Sequence, residues 1–168
     1  MSIIGNAIMI GGGGSSGNIL WLYINGDECA DLTGGWAGRA WPASSSSSNP
    51  LPPTVTKNAD DMKISFTSGT KSGACQTGTD IDLSGYSTLK CTVKSLTTTG
   101  MTQAWTLCVG PRSSSYWYTN ANQKVVMNSV NTFSIDVSGI STTKDVYIGG
   151  SAGSSACNIV IEKIWLEK

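Results

Sequence analysis

From residue 54 onward, apolar and polar side chains alternate with a period of two. Met62, Ile64 and Phe66 stand against Lys63 and Ser65, and Leu89, Cys91 and Val93 stand against Lys90, Thr92 and Lys94. Trp105, Leu107 and Val109 repeat the pattern, as do Phe133, Ile135 and Val137, then Val146 and Ile148. A strand sends successive side chains to opposite faces, so each run predicts a strand with one buried face. A single wet face on each strand points to antiparallel rather than parallel pairing.

Ile19-Leu-Trp-Leu-Tyr-Ile24 predicts an earlier strand, followed by a turn at Asn25-Gly26-Asp27 before the segment from Glu28 to Trp36. Near the end of the chain, Ile159 and Ile161 share one phase, whereas Ile164 and Leu166 are one residue out of it. That slip predicts a β-bulge at Glu162-Lys163. Turn signals at Ser84-Gly85, Thr99-Gly100, Ser138-Gly139 and Gly149-Gly150 separate the runs, and no window carries a helical period with caps. Many short strands in one domain predict an all-β, antiparallel sandwich or barrel.

Two segments depart from this pattern. The first, Ile3, Ile4, Ile8, Met9 and Ile10, is an apolar leader tethered through the glycine- and serine-rich residues 11–17. It has no basic region before it and no cleavage site after it, so a signal peptide is not predicted. The second, residues 44–53, is a Ser/Pro-rich run that cannot form regular structure and predicts a surface loop. The expected organisation is an attachment or oligomerisation segment over residues 1–18 and one β-sandwich domain over residues 19–168. At 168 residues the chain suits a single core.

Composition narrows the function. Eleven Lys and Arg balance eleven Asp and Glu, so no global field attracts nucleic acid or an anionic membrane, and no stretch approaches the roughly 20 apolar residues of a membrane span. A β-rich chain of zero net charge favours self-association, so a homo-oligomer is expected. The absence of histidine removes the usual base of Ser-His-Asp and Cys-His mechanisms. Cys29, Cys75, Cys91, Cys108 and Cys157 show no CxxC spacing, so neither zinc nor a full disulfide framework is indicated. Folding as thiols in a reducing cytoplasm is the simplest reading, with one disulfide left open. A non-enzymatic protein with no cofactor is expected. The carboxylate pairs Asp27-Glu28, Asp60-Asp61 and Asp80/Asp82 would serve a glycosidase only if two faced each other across a cleft.

Asp80 and Asp82 share one face of an extended stretch, a spacing that suits an oxygen-ligated calcium ion, although the loop context favours solvated acids entering a turn. For ligand binding the candidates are Arg112, Tyr116, Trp117 and Tyr118, where aromatic rings and a donor beside a turn could stack on a sugar or meet a partner protein. Alternation sends Trp117 to the face opposite Tyr116 and Tyr118, so at least one of these rings is expected in the core. Trp36 and Trp41 are expected to pack at one end of the core.

The segments Gly26-Asp-Glu-Cys29 with Leu32-Thr-Gly-Gly-Trp36, Ile81-Asp-Leu-Ser-Gly-Tyr-Ser-Thr-Leu89, Phe133-Ser-Ile-Asp-Val-Ser-Gly139 and Ile161-Glu-Lys-Ile-Trp-Leu166 resemble β-sandwich domains of tail-associated proteins of phages and prophages of Gram-positive bacteria. The resemblance covers roughly residues 19–168 and implies a galactose-binding-like or lectin-like jelly roll on a virion. The leader is similar to the start of phage tail proteins, which implies attachment to the particle. It also implies other virion proteins as partners, host-surface glycan as a ligand of the outer loops, and synthesis in the host cytoplasm. A capsid decoration or other purely structural role, or a stand-alone carbohydrate-binding module, is the alternative.

Overall fold

The computed structural model describes residues 18–28, 35–41, 50–69, 71–111 and 121–168. In chain order its strands are β1 (Ile19–Ile24), β2 (Asp27–Glu28), β3 (Trp36–Arg39), β4 (Thr54–Lys57), β5 (Met62–Phe66), β6 (Lys71–Thr77), β7 (Ile81–Asp82), β8 (Thr88–Leu96), β9 (Met101–Gly110), β10 (Gln123–Val126), β11 (Thr132–Asp136), β12 (Thr143–Ala152) and β13 (Cys157–Glu167). The apolar leader, the Ser-rich part of the predicted loop, Cys29 and the Arg112 to Tyr118 cluster lie outside the described residues.

Two antiparallel sheets form a sandwich. In sheet A, β13 has β8 along one side and, along the other, β5 beside its first half and β1 beside its second. In sheet B the order is β10-β9-β12-β6-β3, with β7 paired to β12 beyond the end of β6. Following β5, β6, β8, β9, β10, β11, β12 and β13 as first to eighth, sheet A runs first, eighth, third, sixth and sheet B runs second, seventh, fourth, fifth. That order is the jelly-roll connection.

The alternating apolar residues meet between the sheets. Phe66 of sheet A stacks on Trp105 of sheet B, with ring centroids 5.6 Å apart and planes 14° off parallel. Gly150 lets that indole lie close, since a Cβ there would sit 3.0 Å from a ring carbon of Trp105. The predicted bulge is present: Ile161 pairs with Val93 and Lys163 with Thr92, which leaves Glu162 unpaired and shifts the inward phase to Ile164 and Leu166.

A second bulge bears on the site. In β1, Trp21 faces Trp165 and Tyr23 faces Ile164, so Leu22 has no partner in the register. The indole N–H of Trp36, on the edge of sheet B, donates to the Leu22 carbonyl across the sandwich at 3.2 Å. Trp36 and Trp41 are both buried, as expected of them.

One expectation fails. Sheet B has no wet face at its centre: residues Ser72 to Thr77 and Asp145 to Ala152 are buried at every position. The outward residues Ala74, Cys108 and Tyr147 form their own cluster with Trp41, whose ring meets Tyr147 edge-on at 5.2 Å. Outward polar groups there bond to one another, with Gln76 Nε2 donating to Asp145 Oδ2 at 3.4 Å. Small and amphipathic residues keep the alternation legible while allowing both faces to be covered. Cys75, Cys91, Cys108 and Cys157 are buried free thiols, and burial pushes each of them up from the ordinary thiol range.

Candidate functional site

The chain from Ile81 to Tyr86 builds one wall of an open cleft. Within it, Tyr86 N–H donates to the Leu83 carbonyl at 3.2 Å, and Gly85 sits at φ +79°, a conformation that favours glycine. The Asp82 carboxylate locks this turn by accepting Ser84 N–H at 2.9 Å. The backbone and hydroxyl donors of Ser84 hold the Asp82 carboxyl below its ordinary range. Ile81 between the two aspartates is buried, so Asp80 and Asp82 both face outward, as their spacing predicts.

A second turn repeats the same chemistry. Ile81-Asp-Leu-Ser-Gly-Tyr-Ser-Thr88 is matched by Ile135-Asp-Val-Ser-Gly-Ile-Ser-Thr142. There Ile140 N–H donates to the Val137 carbonyl at 2.9 Å, and Asp136 Oδ1 accepts from Ser138 N–H at 2.9 Å and its hydroxyl at 2.6 Å. The two turns are adjacent: Ser87 N–H donates to the Glu167 carbonyl at 2.7 Å, and Val137 N–H donates to the Ser87 carbonyl at 2.9 Å. Both copies carry Asp, Ser and Gly at the same offsets, with a positive φ at Gly85 but not at Gly139, whereas the next position is Tyr86 in one copy and Ile140 in the other.

The cleft measures about 490 Å³ and opens where β1 of sheet A parts from β7 and β12 of sheet B. Its apolar lining is Leu20, Leu22 and Ile81, and its polar lining is Asp80, Asp82, Ser84, Tyr86, Thr143 and Lys168. The ammonium of Lys168 lies over the Tyr86 ring, 5.9 Å from its centroid. Such a volume accommodates a small ligand, and an apolar base with a few converging polar groups is the usual composition of a binding pocket. A smaller cleft of about 280 Å³ near Leu51 and Phe66 carries one charged side chain, Lys71, and no carboxylate.

One member of each carboxylate pair is engaged in a structural bond. Glu28 accepts Trp36 N–H at 2.6 Å and pairs with Lys57 at 2.8 Å, tying β2 to β3 and β4. Asp61 takes Lys94 and the Asn58 amide, each at 2.7 Å. Asp82 serves its turn. Among the described residues no group of three acidic or thiol side chains could hold a metal ion, and the turn accounts for the orientation of Asp82 without calcium.

Arg112, Tyr116, Trp117 and Tyr118 lie outside the described residues. Gly110, at the end of β9, pairs with Asp145, and Ala121 packs against the cluster of Trp41, Ala74, Cys108 and Tyr147. Sequence reading singled out Asp80 and Asp82 but missed Tyr86, Ser84, Thr143 and Lys168. The repeated Asp-x-Ser-Gly turn, with an aromatic in only one copy, was the available signal.

No family model matches the chain, and no curated protein is similar to it. Among solved structures, a mutant of a family 29 carbohydrate-binding module is similar over 88% of this chain and 89% of that one, at 14% identity and a TM-score of 0.48. A second family 29 mutant, made to probe ligand recognition, is similar over 90% and 92%, at 13% identity and a TM-score of 0.47. A xylanase 10C mutant from Cellvibrio japonicus, in complex with xylopentaose, is similar over 82% of this chain and 28% of that one, at 14% identity and a TM-score of 0.45.

Proposed function

We propose that the protein is a non-catalytic carbohydrate-binding module whose ligand seats in the cleft between β1 and β7. The observation that carries this reading is the paired turn: Asp82-Leu-Ser-Gly and Asp136-Val-Ser-Gly make the same backbone bonds, yet only the copy lining the cleft adds an aromatic ring. Turn formation does not require that ring, because Ile140 serves in its place in the other copy.

A sugar presents an apolar face of C–H groups and a rim of hydroxyls. Tyr86 offers a ring to the first, and Asp80, Asp82, Ser84 and Thr143 offer acceptors and hydroxyls to the second. Asp82 is already held in place by Ser84, so it meets a ligand without first being ordered.

Titration of immobilised glycans with the full chain tests the reading. Tyr86→Ala should reduce binding at least about tenfold, since the ring is the main contact surface. Asp136→Asn, at the equivalent turn outside the cleft, should leave binding unchanged. Uniform silence from the wild-type chain, or binding indifferent to Tyr86→Ala, refutes it.

A virion setting is a separate proposal, supported by the resemblance of the strand-and-turn motifs and of the leader to phage tail proteins. On it, residues 1–18 attach the module to a phage or prophage particle as a homo-oligomer, with the cleft turned to host glycan. Deleting residues 1–17 should give a folded sandwich that no longer joins its assembly. An oligomer unchanged by the deletion refutes that setting.

A further inference from the structure

We infer that the cleft prefers an amine-bearing sugar, and that Lys168 occupies the place its ammonium would take. This rests on the cleft being the glycan site. The side chain of Lys168 is exposed, yet its ammonium is seated over Tyr86 at 5.9 Å, within the range at which a ring attracts a cation. The same cleft carries the carboxylates of Asp80 and Asp82. The charged residues of its lining are Asp80, Asp82 and Lys168.

Asp82 contributes its charge undiminished, because its bonds are to the neutral donors of Ser84 rather than to a lysine or arginine. An aromatic face with a carboxylate beside it is the combination that holds an ammonium group, and a neutral sugar uses only part of it. A protonated amino sugar would displace the Lys168 ammonium from Tyr86, keep the ring contact, and bring its own charge to the Asp82 carboxylate. Lys168 thus competes with the ligand for which the cleft is suited.

The sign of one substitution separates this from an ordinary donor role. If Lys168 donates to a neutral sugar, Lys168→Ala weakens binding; if it holds the place of a ligand amine, Lys168→Ala strengthens binding of an amine ligand. The full chain is titrated calorimetrically with a β-1,4-linked glucosamine tetramer, its N-acetylated counterpart and a neutral glucose tetramer, with backbone resonances of residues 80–86 and 168 followed in parallel.

The expected result is that the amine tetramer binds about tenfold more tightly than either neutral tetramer. Lys168→Ala should strengthen the amine tetramer several-fold and fail to strengthen the others. Asp80→Asn, which leaves the Asp82–Ser84 turn intact and removes one of the two acids, should reduce the amine preference. Equal binding of all three tetramers, or an amine tetramer weakened by Lys168→Ala, overturns the inference while leaving a glycan site in the cleft. Absence of binding and of resonance shifts with all three overturns both readings.

Discussion

Replacing Trp36 with Phe tests how the two sheets are held in register beside the cleft. Trp36 is 1% exposed, and its indole N–H is the donor that meets the carbonyl of the unpaired bulge residue Leu22 at 3.2 Å. Phenylalanine keeps an aromatic ring but removes the donor, so the carbonyl of buried Leu22 loses this partner. Leaving such an acceptor unsatisfied costs about 1–3 kcal/mol, and the smaller ring leaves a void worth about 1 kcal/mol more. The expected destabilisation is about 2–4 kcal/mol, read as a shift of the urea midpoint at unchanged m-value. Leu22 also lines the cleft, so ligand affinity should fall although Trp36 itself lies outside the lining. Trp105→Phe removes a similar bond, from its indole N–H to the Thr97 carbonyl at 3.1 Å, in a place remote from the cleft lining. A loss below about 1 kcal/mol in Trp36→Phe, or an equal loss of ligand affinity in both variants, would show that the indole bond does not hold the sheets beside the cleft.

Other expectations concern the turns and the titrating groups. Gly26 and Gly85 have nearly the same φ, +80° and +79°, but a Cβ at Gly26 would lie 2.7 Å from the Asn58 carbonyl oxygen, while Gly85 faces open space. Gly85→Ala should cost about 1 kcal/mol of backbone strain and Gly26→Ala distinctly more, as measured by urea unfolding. Burial, reinforced by the negative charges of Asp61 and Glu28, pushes the Tyr23 hydroxyl up to about 12. The unfolded chain ionises that phenol first, near 10, so its stabilisation is complete below pH 10 and is lost as pH rises toward 12. Unfolding midpoints between pH 9 and 12 should therefore fall less steeply in Tyr23→Phe. The Lys94 ammonium, followed by the Asn58 amide, holds the Asp61 carboxyl below its ordinary range, so its contribution is present at neutral pH and fades as pH falls through the carboxylate range. Because Lys94 is half exposed, Asp61→Asn should cost less than about 1 kcal/mol, and 1 M salt should shrink the difference further.

The core was legible because alternation directly reports which side of a strand is buried. Met62, Leu89, Trp105 and Ile135 all point inward as their phase requires, and even the slip between Ile161 and Ile164 marked the bulge. The covered outer face of sheet B was not legible, since Ala74, Cys108, Thr106 and Ser151 are small or amphipathic and suit water as well as a packed layer. At the cleft, spacing along the chain brought Asp80 and Asp82 together, but Leu20, Thr143 and Lys168 join them only through sheet pairing across long separations. The ligand candidates chosen from aromatic density, Arg112 and Tyr116 to Tyr118, lie outside the described residues.

The placement of β13 has a consequence for synthesis. This strand runs along β8 on one side and along both β5 and β1 on the other, so sheet A has no continuous middle until residues 157–167 are available. During translation β1 and β5 emerge early and must wait, their hydrogen-bonding edges open, for a partner more than ninety residues downstream. Jelly-roll pairing of this range is slow to nucleate, and open edges are where chains pair with the wrong neighbour. The period of greatest aggregation hazard is therefore set by the ribosome, and it closes only when the last strand slides into the centre of the sheet.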